Sequence, residues 1–188
     1  GDRFNTDSAK LYVHPADNED ILFTARINKD TGAVEDNYIE EKVNYQVEDT
    51  LKNAFELNGI SAASRCMVVT RDTLSVETEE YTPQTFSEKY GFTHYTVYLV
   101  LKDGTYTAHD VLNAVKFAND TIGVKLVIAG YVFEDDGYSK CVSEIQSTPD
   151  ISITMIEAIS PISSFDVNVE QGMCSITEDE LSEKLGRS

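Results

Sequence analysis

The longest periodic segment of the chain, residues 37–58, predicts an amphipathic helix. Its apolar residues recur every four positions and form one face: Ile39, Val43, Val47, Leu51 and Phe55. Its polar residues fall on the other side: Glu40, Glu41, Asn44, Glu48, Lys52 and Glu56. Asn37, with Glu40 three residues later, has the form of a capping box, and Gly59 can take the left-handed conformation that ends a helix. We therefore expect the first face to be buried and the second to be exposed to solvent.

Alternating or continuously apolar runs predict strands at several places: residues 21–28, 64–75, 92–101 and 124–133. In the third run, the odd-numbered residues from Thr93 to Leu101 form the more apolar face, which we expect to meet the long helix. Asp136 and Gly137 form a hairpin turn signal, so residues 138–146 predict a returning strand. Residues 151–159 alternate as well and predict another strand.

Two further helices are predicted between these strands, and together the elements indicate a fold class. Residues 83–91 favour a short helix with Pro83 in its first turn, and residues 107–122 favour a longer one capped by Thr107 with Asp110. The resulting order, βαββαβ, resembles that of ferredoxin-like α+β sandwiches, in which two helices lie on one face of an antiparallel sheet. We expect a C-terminal hairpin or extra strands to extend that sheet.

The chain is expected to divide into three parts. Residues 1–20 form a polar N-terminal arm, residues 21–160 the α+β domain, and residues 161–188 a C-terminal extension docked on that domain. The extension is expected to hold a short helix over residues 177–185, because Thr177 and Glu180 have the spacing of a capping box.

The charge balance excludes two classes of partner. Of 188 residues, 15 are Lys or Arg and 33 are Asp or Glu, which gives a net charge of −18. Such a chain opposes nucleic acid and anionic lipid, since both require positive charge to replace counterions. No apolar run is long enough to cross a bilayer, so we expect no membrane insertion within this chain.

No pattern of residues predicts a specific chemistry. The three cysteines, Cys66, Cys141 and Cys174, are widely spaced and form no CxxC. A nucleophilic pair of Cys66 and His94 would require two neighbouring strands with both side chains on one face. We therefore predict no catalytic residue, no metal site and no cofactor, and an enzyme is the less favoured alternative.

A dense group of aromatic residues suggests where a partner would bind. Residues 81–106 contain seven Tyr or Phe residues, and exposed tyrosines favour protein contacts. The predicted binding residues are Tyr90, His94, Tyr95, Tyr98 and Tyr106. The alternative is that these rings only cover the sheet edge and the short helix.

Two hypotheses of function follow. The first is a non-enzymatic extracellular or cell-envelope domain that acts through contacts with a protein partner or with itself. The lone Gly1 before Asp2 is typical of a cleaved expression tag, so we expect that a signal peptide or membrane anchor precedes Asp2 in the full-length protein. The alternative is an intracellular small-ligand-binding domain or enzyme with a pocket near His94 and Cys66.

Overall fold

The computed structural model describes residues 8–68, 80–148 and 151–186, and within these ranges the chain forms two sheets and six helices. The fold is mixed α+β, as predicted. No helix among these residues is long and apolar enough to cross a membrane.

The smaller sheet is antiparallel and has the order β1-β2-β3. Its strands are β1 (Ser8–Val13), β2 (Phe23–Asn28) and β3 (Val34–Asp36). A tight turn joins the last two, and in it the Asn28 side-chain oxygen accepts hydrogen bonds from the N–H groups of Asp30 and Thr31, each at 3.0 Å. The predicted arm therefore contributes a strand, because β1 pairs with β2 along its whole length.

The larger sheet has five strands in the order β4-β5-β6-β7-β8. They are β4 (Ala62–Met67), β5 (His94–Lys102), β6 (Lys125–Phe133), β7 (Ser163–Glu170) and β8 (Met173–Cys174). The β5 and β6 strands are parallel, and the other neighbours are antiparallel. Consequently β4 lies at one edge of the sheet.

Helices cover both faces of this sheet. The helices α1 (Tyr38–Leu57) and α3 (Ala108–Ile122) pack together over the main core, and α2 (Pro83–Tyr90) joins them through the buried ring of Phe86. On the opposite face, α4 (Asp135–Ser147) and α5 (Ile153–Glu157) bury a second, smaller core. The last helix, α6 (Glu178–Lys184), packs against α3.

The ferredoxin-like arrangement is not confirmed. That fold requires the strand before the first long helix to lie in the same sheet as the later strands, whereas here β2 and β3 form a separate sheet. The pairing of β5 with β6 is parallel, and helices occupy both faces instead of one. The connection through α3 accounts for the parallel pair, since parallel neighbours need a long crossover between them.

Two predicted strands are wrong. Residues 138–146 belong to α4, and α5 occupies the middle of 151–159. The apolar residues of α4 that reach the core, Tyr138, Cys141 and Ile145, are spaced three and four apart, which suits a helix. Asp135 and Asp136 also lie in its first turn, where carboxylates are stabilised by the helix dipole. Of the predicted strand 64–75, β4 covers the first residues, and 69–75 lie outside the described residues.

The C-terminal residues supply part of the main sheet and core. The β7 strand pairs with β6 over seven residues, and the Phe165 ring lies directly over Gly130. Leu181 and Leu185 of the α6 region are buried in the main core. The predicted capping box of Thr177 with Glu180 is confirmed.

Candidate functional site

The outer edge of β4 carries backbone groups that pair with no other strand in the described part of the chain. On the inner side, the Ser61 carbonyl accepts a hydrogen bond from the Lys102 N–H at 3.0 Å. In an antiparallel pair, successive residues point their N–H and C=O groups to opposite sides. Ser61, Ala63 and Arg65 therefore bond towards β5, whereas Ala62 and Ser64 direct their backbone groups away from it. Among the described strands, none pairs with β4 on that outer side.

A cleft of about 980 Å³ runs along this edge; we call it the edge cleft. Its base is formed by residues 59–65, which include most of β4. One wall is a stripe of α1: Tyr45, Glu48, Asp49, Lys52 and Glu56. The other wall is a stripe of α4: Tyr138, Ser139, Val142, Ile145 and Gln146. The connection between β1 and β2 closes one end through His14, Glu19, Asp20 and Leu22.

Carboxylates dominate the charge of the edge cleft. Five of them line it: Glu19, Asp20, Glu48, Asp49 and Glu56. Three basic side chains line it as well: Lys52, Arg65 and Lys102. Two of these bases already bind acids outside the lining, since Lys102 lies 3.2 Å from Asp135 and Arg65 lies 2.7 Å from Glu41. The local charge is therefore negative, like that of the whole chain.

A buried ionic cluster supports the α1 wall. The Arg65 guanidinium donates to the Glu41 carboxylate at 2.7 Å and lies 3.7 Å from that of Glu48. The side chains of Arg65, Glu41 and Glu48 are only 9%, 10% and 16% exposed. Glu48 also accepts the outward-pointing N–H of Cys66 at 2.7 Å, which closes the far end of the β4 edge. Glu41 and Glu48 are seven residues apart, so two helical turns place both on the side of α1 that faces β4.

Burial raises the pKa of both carboxyl groups in this cluster. Loss of solvent is the largest cause for Glu48, and although Arg65 opposes it, the pKa rises to about 7. The pKa of Glu41 is also raised, again by burial, against the opposing effect of Arg65. One guanidinium cannot compensate two buried carboxylates. Glu48 therefore changes its protonation state near neutral pH, at the wall of the edge cleft.

Asn37 connects the smaller sheet to this cluster. Its side-chain oxygen accepts the Thr24 N–H of β2 at 2.7 Å, and its amide donates to Glu41 at 3.1 Å. Asn37 is the N-cap residue of α1, but the predicted capping box is wrong, because the Asn37 side chain bonds to β2 and to the Glu41 side chain and accepts no backbone N–H of the first turn. The same end of the cleft is held by the Tyr45 hydroxyl, which donates to Asp20 at 3.3 Å.

Ser64 is a polar residue without a side-chain partner at the base of the cleft. It is 8% exposed, and its hydroxyl oxygen is buried with no hydrogen bond to any described residue. A buried hydroxyl without a hydrogen bond lowers the stability of the folded state.

The predicted binding tyrosines lie mainly in the interior. Tyr95 is fully buried in the main core and donates its hydroxyl proton to the Pro83 carbonyl at 2.7 Å. Tyr106 is buried in the same core, and Tyr98 is buried on the opposite face of the sheet. None of these three presents a ring to solvent.

The other two predicted binding residues lie nearer the surface. Tyr90 is half-buried, with its ring centroid 4.6 Å from that of Phe86. His94 is exposed, and its Nδ1 lies 3.2 Å from the Thr93 hydroxyl. The five predicted residues are therefore not gathered on one surface, and none of them lines the edge cleft.

Cys66 and His94 do not form a nucleophilic pair. Cys66 is directly opposite Val97 in the β4–β5 register, so both face the main core. His94 is three residues from Val97 and therefore points to the other face. Burial also raises the pKa of the Cys66 thiol well above its ordinary value, which suppresses the reactive thiolate.

No metal site is found in the described part of the chain, where no three His, Cys, Asp or Glu residues are placed to hold an ion. All three cysteines are free thiols, two of them buried.

Sequence reasoning missed Glu41, Glu48 and Arg65, the buried ionic cluster that supports the α1 wall. It placed both glutamates on the solvent face of α1. The available signal was Arg65 itself, a charge within a strand that is otherwise apolar or small. A charge at such a position requires a carboxylate partner, and the long acidic helix is the nearest source.

The fold of this chain resembles that of one solved structure. The crystal structure of a DUF5037 family protein from Ruminococcus gnavus ATCC 29149 matches with a TM-score of 0.76 and 10% sequence identity, over 100% of this chain and 90% of that one. At this identity the likeness concerns the fold alone. No protein-family model and no curated protein matches the chain.

Proposed function

We propose that this protein is a non-enzymatic domain of the cell envelope or cell exterior that binds a protein partner, with the edge cleft as the contact site. The observation that carries the proposal is the outer edge of β4, which lies at the base of a large cleft between two helices. Unused N–H and C=O groups on a strand edge can bond to any extended chain, whatever its sequence.

The composition of the cleft supports a binding role over a catalytic one. Its lining combines backbone groups and carboxylates with the apolar side chains of Val142 and Ile145. The nucleophile and base considered from the sequence, Cys66 and His94, lie on opposite faces of the sheet. Binding requires only backbone groups, charged groups and apolar surface in one cleft, whereas nucleophilic catalysis would require Cys66 and His94 to lie within hydrogen-bond reach of each other.

The proposed location rests on charge. A net charge of −18 opposes contact with anionic lipid and nucleic acid, and a protein-binding domain outside the cell needs neither contact. Fractionation of cells that produce the full-length protein, followed by antibody detection, tests this. Recovery of the protein in the cytosol would overturn the location without affecting the binding site.

A random-peptide phage library panned against the purified protein tests the binding role. Val142→Trp should fill the edge cleft, because Val142 is a half-exposed residue of its α4 wall. Val34→Trp, at an exposed position of β3 outside the cleft, is the matched control. We expect enriched peptides that bind the wild type and the control but lose binding to Val142→Trp. No enrichment, or equal binding to all three proteins, would overturn the proposal.

A second candidate is a small-ligand-binding domain or enzyme inside the cell. The volume of the edge cleft favours it, since about 980 Å³ is within the range of ligand pockets. The cleft would then replace the predicted pocket near His94 and Cys66. A screen of charged metabolites by thermal shift tests this candidate, which requires a stabilisation that Val142→Trp abolishes and Val34→Trp retains.

A further inference from the structure

We propose that the edge cleft receives an extended segment of a partner protein in which Lys or Arg residues alternate with apolar residues, and that this segment adds to β4 as a further strand. The inference rests on the proposed protein-binding function and specifies the class of segment that is bound.

The backbone geometry fixes how and where the segment pairs. Ala62 and Ser64 direct their N–H and C=O groups into the cleft, as the β4–β5 register requires. Beyond them, the Glu48 carboxylate already occupies the Cys66 N–H. The β4 strand has six residues and is about 20 Å long at about 3.3 Å per residue. The pairing is therefore short and centred on Ala62 and Ser64, and it does not extend past Cys66.

The two walls decide which side chains the segment carries. Side chains of a strand alternate between its two faces, so one set faces α1 and the other faces α4. The α1 wall presents the exposed carboxylates of Asp49 and Glu56 and one exposed cation, Lys52, so its exposed charge is net negative and attracts Lys or Arg. The α4 wall presents the half-exposed apolar side chain of Val142, and Ile145 also lines the cleft although it is largely buried in the smaller core. A segment in which basic and apolar residues alternate therefore places its basic side chains at the α1 wall and its apolar side chains at the α4 wall.

Charge also disfavours a second copy of this chain as the occupant. Two molecules that each carry −18 repel one another, and the carboxylates of both clefts would meet. A basic segment meets no such repulsion, and it gains association rate from the negative potential of the cleft.

Fluorescence anisotropy with synthetic peptides separates charge from strand pairing. The probe is a fluorescein-labelled peptide of about eight residues, long enough to cover β4, in which Lys and Val alternate. The matched peptide has Glu in place of Lys. Two further peptides keep every side chain of the Lys-Val probe but carry N-methyl groups on alternate backbone amides, one on the Lys amides and one on the Val amides.

The proposal makes a distinct prediction for each peptide. The Lys-Val probe should bind and the Glu-Val peptide should bind at least about tenfold more weakly, because the cleft is acidic. One N-methylated peptide should lose binding by about tenfold or more and the other should retain it, because only one set of amides faces β4 in a strand. Equal binding of the Lys and Glu peptides, or equal binding of the parent and both N-methylated peptides, would overturn the proposal.

Protein variants test whether binding occurs in the edge cleft. Asp49→Lys with Glu56→Lys reverses two charges on its α1 wall and should weaken the Lys-Val probe by about tenfold or more. Glu88→Lys with Glu183→Lys makes the same charge change at exposed positions outside the cleft and should leave binding within about twofold, the effect of long-range charge alone. Equal loss in both double variants would overturn the assignment to the cleft.

Substitution of Ser64 examines the strand edge directly. Ser64→Pro removes an outward N–H without removing a bond to β5 and should abolish binding, and a circular dichroism spectrum identifies any variant that fails to fold. If Ser64→Pro fails to fold, the pair of N-methylated peptides still tests whether the segment pairs with β4. If panning yields cleft-binding peptides without alternating basic residues, the strand inference falls and the proposed binding function stands.

Discussion

The buried carboxyl of Glu48 should make the stability of this protein depend on pH near neutrality, and Glu48→Gln should remove that dependence. Glutamine has the same shape and keeps an oxygen that accepts the Cys66 N–H, at the position where the carboxylate accepts it at 2.7 Å. Arg65 keeps its closer partner, Glu41, at 2.7 Å. The substitution therefore removes one titrating group and leaves the contacts around it in place.

The direction follows from where the proton is held. The pKa of Glu48 is raised from 4.5 to about 7, chiefly by burial, so the folded state retains this proton at pH values where the unfolded state has lost it. The stabilisation is complete below pH 4.5 and is lost as the pH rises through about 7. Its size is about 3 kcal/mol, since one pKa unit corresponds to about 1.4 kcal/mol.

Urea unfolding of both proteins between pH 4.5 and 8 measures the effect. Relative to Glu48→Gln, the wild type should lose about 3 kcal/mol across this interval, or about 6–12 °C in Tm for a domain of this size. Asp49→Asn is the matched control, because it removes the same charge from an exposed position one residue further along α1. It should follow the wild type. Parallel pH profiles for wild type and Glu48→Gln would refute the argument that burial raises this pKa.

Three further predictions concern packing, capping and thiol reactivity. Gly130→Ala should lower the free energy of unfolding in urea by about 1–3 kcal/mol, because a Cβ would lie 2.2 Å from the Phe165 ring. Phe165→Leu in the same protein should recover part of the loss. An unchanged unfolding midpoint for Gly130→Ala would contradict this packing. Thr107→Ala should cost about 1 kcal/mol by removing the α3 cap, whereas Thr107→Ser should be near wild type in the same assay. With Ellman's reagent, Cys174 should react first, because it is the most exposed of the three thiols. Cys66 should react only when the protein unfolds, since burial raises the pKa of its thiol.

The parts of the fold that the sequence predicts well are those in which one pattern dominates a long segment. The α1 and α3 helices each present a continuous apolar face, and Gly123 ends α3 in the left-handed conformation. The continuous apolar run that forms β6 fits no other predicted element of similar length. In these segments local preference and burial favour the same structure.

Prediction fails where two periods fit equally well. Residues 138–146 alternate, yet Tyr138, Cys141 and Ile145 also recur at helical spacing, and Gly137 suggested a turn. In the structure Gly137 lies in the first turn of α4, and its Cα packs close to the Phe133 ring. Which period applies is decided by the uncovered face of β5 and β6, and that face is known only once the sheet is assembled.

The candidate site was harder to predict because its residues acquire their role from strand order. A charge such as Arg65 indicates that a carboxylate lies nearby, but the sequence does not say which of 33 acids supplies it. Only when β4 lies at the edge beside α1 do Glu41 and Glu48 become its partners. The proposed binding edge depends on the same placement, since a central strand has neighbours on both sides that use its backbone groups.

An open strand edge can promote aggregation as well as bind a partner, and the same carboxylates bear on both. An edge that any strand can join promotes aggregation unless charge or bulk protects it. Here Glu48 occupies the Cys66 N–H, while Asp49 and Glu56 place negative charge beside the remaining groups. These carboxylates repel other copies of an acidic chain, and for the same electrostatic reason they attract a basic one. In the proposed binding mode, the charge that opposes pairing of two copies at this edge is therefore also the charge that selects a basic partner.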